Sequence, residues 1–211
     1  MKRKSKSNLL EELTSLPYFT KDLICQLGKA ENSYSLKDST IDTYISRFLK
    51  EKEIISLKRG LYVSMDFYNS NKDNLSYSFF LANIIKKPSY ISSWAALQYY
   101  NLSTEIIHTI TSITPRVTRN YETKIGTFSY QSVKKNLFSD FSFVKDKFEF
   151  FIASPSKALF DLLYFKTRQF RGIKINDVDS IIEDLRIDIS ELGEEERKRF
   201  YFMINKNIRH G

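Results

Sequence analysis

Apolar residues recur at helical spacing most clearly in STIDTYISRFLKEKEI, residues 39–54. Ile41, Tyr44, Ile45, Phe48 and Leu49 fall at i, i+3, i+4, i+7 and i+8, the stripe of a helix with one face on a core. Ser39 or Thr40 is its expected cap. Two shorter helices are expected before it. NLLEELTSL puts Leu9, Leu10 and Leu13 on one side and stops at Pro17. FTKDLICQLG offers Thr20 as a cap, Asp22 in the first turn and Gly28 as a stop, and a polar loop, KAENSYSLKD, follows. After the third helix, Ile54-Ile55-Ser56-Leu57 and Leu61-Tyr62-Val63 are strand-forming runs around Lys58-Arg59-Gly60, a tight turn carrying two cations.

The segment at 67–76 is rich in Asn and Ser and reads as a linker. Beyond it the pattern predicts helices over 77–87 and 92–102, the second capped by Ser92 or Ser93. Strands are expected over 106–114 and 124–133, with Gly126 at a bulge or tight approach, and two more within FSFVKDKFEFFIAS. SPSKALFDLLYFKTR is a well-marked helix with Ser154 as cap, Pro155 at its first position, and Leu159, Leu162 and Leu163 inward. Two amphipathic helices complete the chain. The expected class is α+β: a winged helix-turn-helix over 1–66, with a basic tail at 1–7, then the linker and a larger α+β unit over 77–211 with a mostly antiparallel sheet.

Three helices followed by a hairpin is the order of a winged helix-turn-helix, whose last helix enters the major groove while the wing lies on the flanking backbone. With the apolar stripe inward, Thr40, Asp42, Thr43, Ser46, Arg47 and Lys50 point outward. Hydroxyls donate or accept at base edges, and Arg grips guanine through two hydrogen bonds. Thr40, Thr43, Ser46, Arg47 and Lys50, with wing residues Lys58 and Arg59, are therefore the candidate DNA contacts. Asp42 is awkward among them, because phosphates repel a carboxylate.

Charge sharpens this picture. The 211 residues carry a formal net charge of +8, which favours a polyanionic partner. Residues 1–66 hold 12 Lys and Arg against 9 Asp and Glu, residues 67–170 hold 13 against 7, and residues 171–211 hold 8 against 9. The excess thus lies in the tail and the middle. There Arg116, Arg119, Lys124, Lys134 and Lys135 form a candidate second basic surface.

Little else suggests chemistry. The chain lacks a Gly-rich phosphate loop. His108 sits in an apolar strand and His210 near the end, so no metal ligands are assigned. Asp177, Asp179, Glu183 and Asp184 read as a solvated helix face, and Glu194 to Glu196 as acids at a helix start partnered by Arg197 to Arg199. No catalytic residue or cofactor is expected. The single cysteine, Cys25, lies among apolar residues and reads as structural. No apolar run reaches the roughly 20 residues of a membrane span, and MKRKSKSNLL lacks the apolar core of a secretory signal. A cytoplasmic setting is expected.

RGLYV at the end of the winged helix, then PSYISSWAALQYYNLS, KIGTFSY and ASPSKALFDLLY, in that order, resemble the AbiEi family of antitoxins over roughly residues 8–170. The resemblance implies a winged helix joined to a larger antitoxin domain. It also implies autorepression through inverted repeats in the promoter, and action against a co-encoded nucleotidyltransferase-like toxin without a stable complex. The DNA-contact role then falls on the third-helix and wing residues named above. The rival readings are a winged-helix regulator whose second unit senses a ligand or dimerises, an antitoxin acting by direct toxin contact, and a nucleic-acid enzyme with clustered carboxylates on a basic surface.

Overall fold

Leu9 and Leu13, one helical turn apart, are both fully buried and anchor the first helix, α1 (Lys6–Thr14). The computed structural model describes residues 6–29, 37–103 and 108–208. Most of the basic tail, most of the polar loop before the third helix, the start of the strand expected over 106–114, and His210 lie outside them. After α1 come a two-residue strand β1 (Phe19–Thr20), α2 (Lys21–Lys29), α3 (Asp38–Lys50), β2 (Ile54–Lys58) and β3 (Leu61–Ser64). Thr20 caps α2 as expected, its Oγ1 accepting from Leu23 N at 3.2 Å.

The structure moves the start of α3. Lys37, in extended conformation, is the cap residue, and its carbonyl accepts from Thr40 N and Ile41 N at 2.9 and 3.1 Å. Ser39 and Thr40 are thus inside the first turn, where Asp38 sets a carboxylate at the positive end of the helix dipole. The three strands form an antiparallel sheet in the order β1-β3-β2, which completes the winged-helix arrangement. Gly60 supplies the left-handed turn between β2 and β3 with φ +78°.

The hairpin has two covered faces. Ile54 and Tyr62 join Leu9, Leu13, Phe19, Ile24, Ile41, Ile45 and Phe48 in the core beneath α1–α3. Ile55, Leu57, Leu61 and Val63 point the other way, into the core of the second unit. This is the period-2 alternation of a strand with both sides packed. The Tyr77 hydroxyl adds a 2.8 Å bond to the Pro17 carbonyl across the same junction.

The segment expected as a polar linker is helical. Residues Met65–Asn71 form α4, capped by Ser64 Oγ, which accepts from Phe67 N at 3.0 Å. Asn74 Oδ1 caps α5 (Leu75–Ile85) by accepting from Ser76 N at 2.9 Å. Phe67 packs on Tyr77 and Phe148, with ring centroids 5.5 and 6.2 Å away. The polar composition at 67–76 misled because several of these residues make specific bonds: Asn71 Oδ1, for one, accepts from Lys147 Nζ at 2.9 Å.

The second sheet combines β4 (Tyr90–Ile91), β5 (Thr109–Thr114), β6 (Arg119–Thr123), β7 (Gly126–Ser132), β8 (Phe141–Val144) and β9 (Phe150–Ala153) in the order β6-β7-β5-β4-β9-β8. The β6/β7, β4/β5 and β8/β9 pairs are antiparallel; β5/β7 and β4/β9 are parallel. The remaining helices are α6 (Ser93–Tyr99), α7 (Pro155–Lys166), α8 (Val178–Asp184) and α9 (Glu194–Ile208). Gly126, with φ +136°, closes the tight β6–β7 turn opposite Thr123.

Helix α7 starts where expected, with Pro155 in its first turn and Ser154 Oγ accepting from Lys157 N. Its residues 156–164 are all buried, and two of them are charged. Lys157 Nζ donates to Asp161 Oδ1 at 2.6 Å, one helical turn along. The other carboxylate oxygen accepts from the Ser92 hydroxyl at 2.7 Å and the Tyr90 hydroxyl at 3.1 Å. Ser92 therefore occupies the cap position of α6 while its hydroxyl serves α7 instead. Burial pushes the Asp161 carboxyl up, against the opposing pull of Lys157, Ser92 and Tyr90.

Removing one charge of such a pair leaves the other uncompensated. Asp161→Ala is expected to cost about 3–5 kcal/mol of unfolding free energy in urea titrations. Lys157→Met with Asp161→Leu should cost less, since both charges leave together, while the unmet hydroxyls of Tyr90 and Ser92 are common to the two variants.

Candidate nucleic-acid interface

The burial of Ile41, Ile45 and Phe48 turns the opposite side of α3 to solvent. Thr43, Ser46, Arg47 and Lys50 are exposed, and Thr40 is half-buried. Thr43 Oγ1 donates to the Ser39 carbonyl at 2.8 Å, so its hydroxyl is left to act as an acceptor. Asp42 also stands on this side, but Lys21 of α2 holds it with Nζ 2.5 Å from Oδ1. That ion pair raises the Lys21 pKa and offsets the carboxylate's repulsion of an approaching polyanion.

The two wing cations differ. Arg59 is exposed at the turn. Lys58 is half-buried, with Nζ donating to the Ile85 carbonyl at 2.5 Å. Ile85 ends α5, so the ammonium meets the negative end of a helix dipole. Burial, and then the nearby cations Lys86 and Lys87, push the Lys58 pKa down. Lys58 thus ties the wing to α5 rather than standing free at the tip.

The wing also lies against β6. Between them runs an open groove of about 660 Å³, with Lys58 and Arg59 on one wall and Arg119 and Lys124 on the other. The Arg119 guanidinium lies over the Tyr121 ring, 5.6 Å from its centroid. Arg116 and Arg119 both bear on Lys86, whose pKa is lowered first by burial and then by these two charges. The wing and part of the second basic surface therefore form one cationic region: Lys58, Arg59, Lys86, Lys87, Arg116, Arg119 and Lys124. Lys86 and Lys87 were missed in the sequence, where they read as the end of a helix before Pro88. Glu122 is the one carboxylate lining the groove among the described residues. Lys134 and Lys135 do not line it; Lys134 borders a separate hollow with Tyr164 and Arg171.

Three of the acidic candidates make structural bonds. Asp177 Oδ2 accepts from Lys174 N at 2.8 Å, and Asp179 accepts from the Tyr201 hydroxyl at 2.5 Å. Glu196 Oε2 accepts from Ser156 N and Oγ at 3.0 and 2.7 Å, bracing the start of α7. Among the described residues no group of three or more His, Cys, Asp and Glu could hold a metal ion, and no helix is long and apolar enough to cross a membrane. His108 is exposed at the start of β5, and Cys25 is half-buried against the first core.

Lys58→Met keeps the stem and removes the donor to Ile85. It is expected to lower stability by about 1.5–3 kcal/mol, since the lost bond is charge-assisted. Arg59→Ala, at an exposed turn, should stay within about 0.5 kcal/mol; chemical denaturation of the two variants separates the tether from the free cation. The chain matches no family model and no curated protein, so the reading of this interface rests on its own geometry.

Proposed function

We propose that this chain binds duplex promoter DNA as a transcriptional repressor, with α3 in the major groove and the groove between wing and β6 on the phosphate backbone. The observation that carries this reading is the joining of wing and β6 cations into one region, on a unit whose third helix exposes Thr43, Ser46, Arg47 and Lys50. Hydroxyls and one arginine suit base edges. Clustered Lys and Arg repel one another, and phosphates relieve that repulsion.

The resemblance to AbiEi antitoxins extends the proposal. The chain would repress its own operon at inverted repeats and counteract a co-encoded nucleotidyltransferase-like toxin, without catalysis and without a stable complex, in the cytoplasm. Co-expression of the chain with such a toxin, using separate α3 and second-unit variants, tests antitoxicity apart from DNA binding. Restored growth would support the antitoxin role; continued toxicity alongside intact promoter binding would leave a plain repressor.

For DNA itself, Arg59→Ala, Arg119→Ala and Lys124→Ala should each flatten the dependence of log K on log salt by about one unit in promoter titrations. Slopes equal to that of the unaltered chain would remove these residues from the backbone contact. Arg47→Ala should reduce discrimination between promoter and scrambled duplex by about 1–3 kcal/mol. An equal loss on both sequences would make Arg47 a phosphate contact instead.

A further inference from the structure

A second cationic site lies away from the wing. A cleft of about 520 Å³ opens between the start of α7, one flank of α9 and the turn over residues 136–140 that precedes β8. That volume falls in the range of small-molecule sites, about 300–1,000 Å³. Its lining combines two kinds of surface. Leu137, Phe160, Phe202 and Met203 are apolar, whereas Lys157, Lys198, Arg199 and Lys206 are cationic. Asp140 is the single carboxylate lining it among the described residues.

The helical repeat of α9 explains the arrangement. Phe200 and Ile204 face the core. Lys198, Phe202 and Lys206 follow one another at intervals of four on an adjoining flank, with Arg199 and Met203 beside them. The acids of the helix are confined to its first turn, at Glu194, Glu195 and Glu196. Lys198 reaches Glu194 at 2.8 Å and Arg199 reaches Glu196 at 3.2 Å. The Lys198 pair is exposed and worth about 0–1 kcal/mol, so an incoming anion can take over that cation, and Arg199 keeps guanidinium donors beyond its bond to the part-buried Glu196. Lys206 has no acidic partner among the described residues.

Two further features shape the cleft. Lys157 is 1 % exposed and lines the cleft. Its three ammonium protons meet one oxygen among the described residues, Asp161 Oδ1, and the face of Phe160 at 4.7 Å. Phe202 is 70 % exposed. A bare ring beside three cations on one helix has the chemistry to stack a base and hold phosphates.

We propose that this cleft binds a nucleoside triphosphate, its base stacked on Phe202 and its phosphates held by Lys198, Arg199 and Lys206. A single-stranded nucleic acid shares the chemistry but needs a succession of aromatic platforms. Among the described residues the cleft offers one exposed ring, which favours a mononucleotide. The site is separate from the wing groove, and the inference does not rest on DNA binding.

Calorimetric titration of the full chain with ATP, GTP, CTP and UTP tests it, alongside inorganic triphosphate, the free nucleosides and a short single-stranded oligonucleotide. At least one nucleotide should bind saturably, about tenfold or more tighter than inorganic triphosphate or its nucleoside. Phe202→Ser should weaken that nucleotide about tenfold while leaving triphosphate binding unchanged. Lys206→Gln should weaken both by a similar factor. Both positions are exposed, so unfolding curves should match the unaltered chain and confirm that the variants fold. No saturable binding of any nucleotide at about 1 mM overturns the proposal. So does indifference to Phe202→Ser, which would reveal anion binding alone, or tighter binding of the oligonucleotide than of every mononucleotide. Promoter binding measured on the same Phe202→Ser sample keeps the two readings distinct, because DNA affinity without nucleotide should not change.

Discussion

A β-hairpin with both faces buried governs how the two halves of this molecule meet. Side chains along a strand alternate sides, so the eight residues of Ile54–Leu57 and Leu61–Ser64 supply two cores at once. Ile54 and Tyr62 close the core under the first three helices, while Ile55, Leu57, Leu61 and Val63 enter the larger core beyond. Each fully buried aliphatic side chain is worth about 1.5–3 kcal/mol. Lifting the hairpin off either side would expose several together, far more than an isolated surface contact resists. The orientation of α3 relative to β6 is consequently set by packing, and Lys58 fastens the same junction with a hydrogen bond. A DNA duplex would meet a surface assembled in advance.

Strong periodicity was readable in the sequence, and weak or borrowed structure was not. The α3 stripe, the Ser154-Pro155 start of α7 and the paired strands around residue 147 each carry their own signal and lie close to their expected positions. Strands β1 and β4 have two residues apiece, too few to establish any period. Strand β6, RNYET, is a polar edge strand whose residues are largely exposed, so it lacks the alternation that marks a half-buried strand. Helix α4 was hidden because Ser64 and Asn71 resemble loop composition until their bonding partners are known.

The candidate sites were legible to a similar degree. The outward positions of α3 follow from its inward ones, so Thr43, Ser46, Arg47 and Lys50 could be named from spacing alone. That Lys58 is tethered while Arg59 is free depends on α5, 27 residues away in sequence. The grouping of Arg116, Arg119 and Lys124 with the wing likewise depends on which sheet edge the hairpin meets. Lys157 and Asp161 sit in a helix whose leucines announced a core, yet charge at i and i+4 ordinarily signals a solvated face. Their mutual ion pair, completed by the hydroxyls of Tyr90 and Ser92, makes their burial tolerable. In α9 the near-neutral total concealed a separation of acids at one end from cations along one flank.

The two sheets meet through their margins. Strand β2 is an outer strand of the first sheet and β6 of the second, and the wing brings them alongside each other. An uncovered strand margin is a template on which other chains can add, and natural proteins shield such margins or load them with charge. This junction does both, since each margin shelters the other and Lys58, Arg59, Arg119 and Lys124 crowd the opening. The cations at this opening thus also act as the charge that disfavours edge-to-edge pairing. Shortening the chain to either half would undo this protection, leaving Ile55, Leu57, Leu61 and Val63 uncovered in one fragment and the β6 margin in the other. Neither fragment is a faithful miniature of its part in the whole.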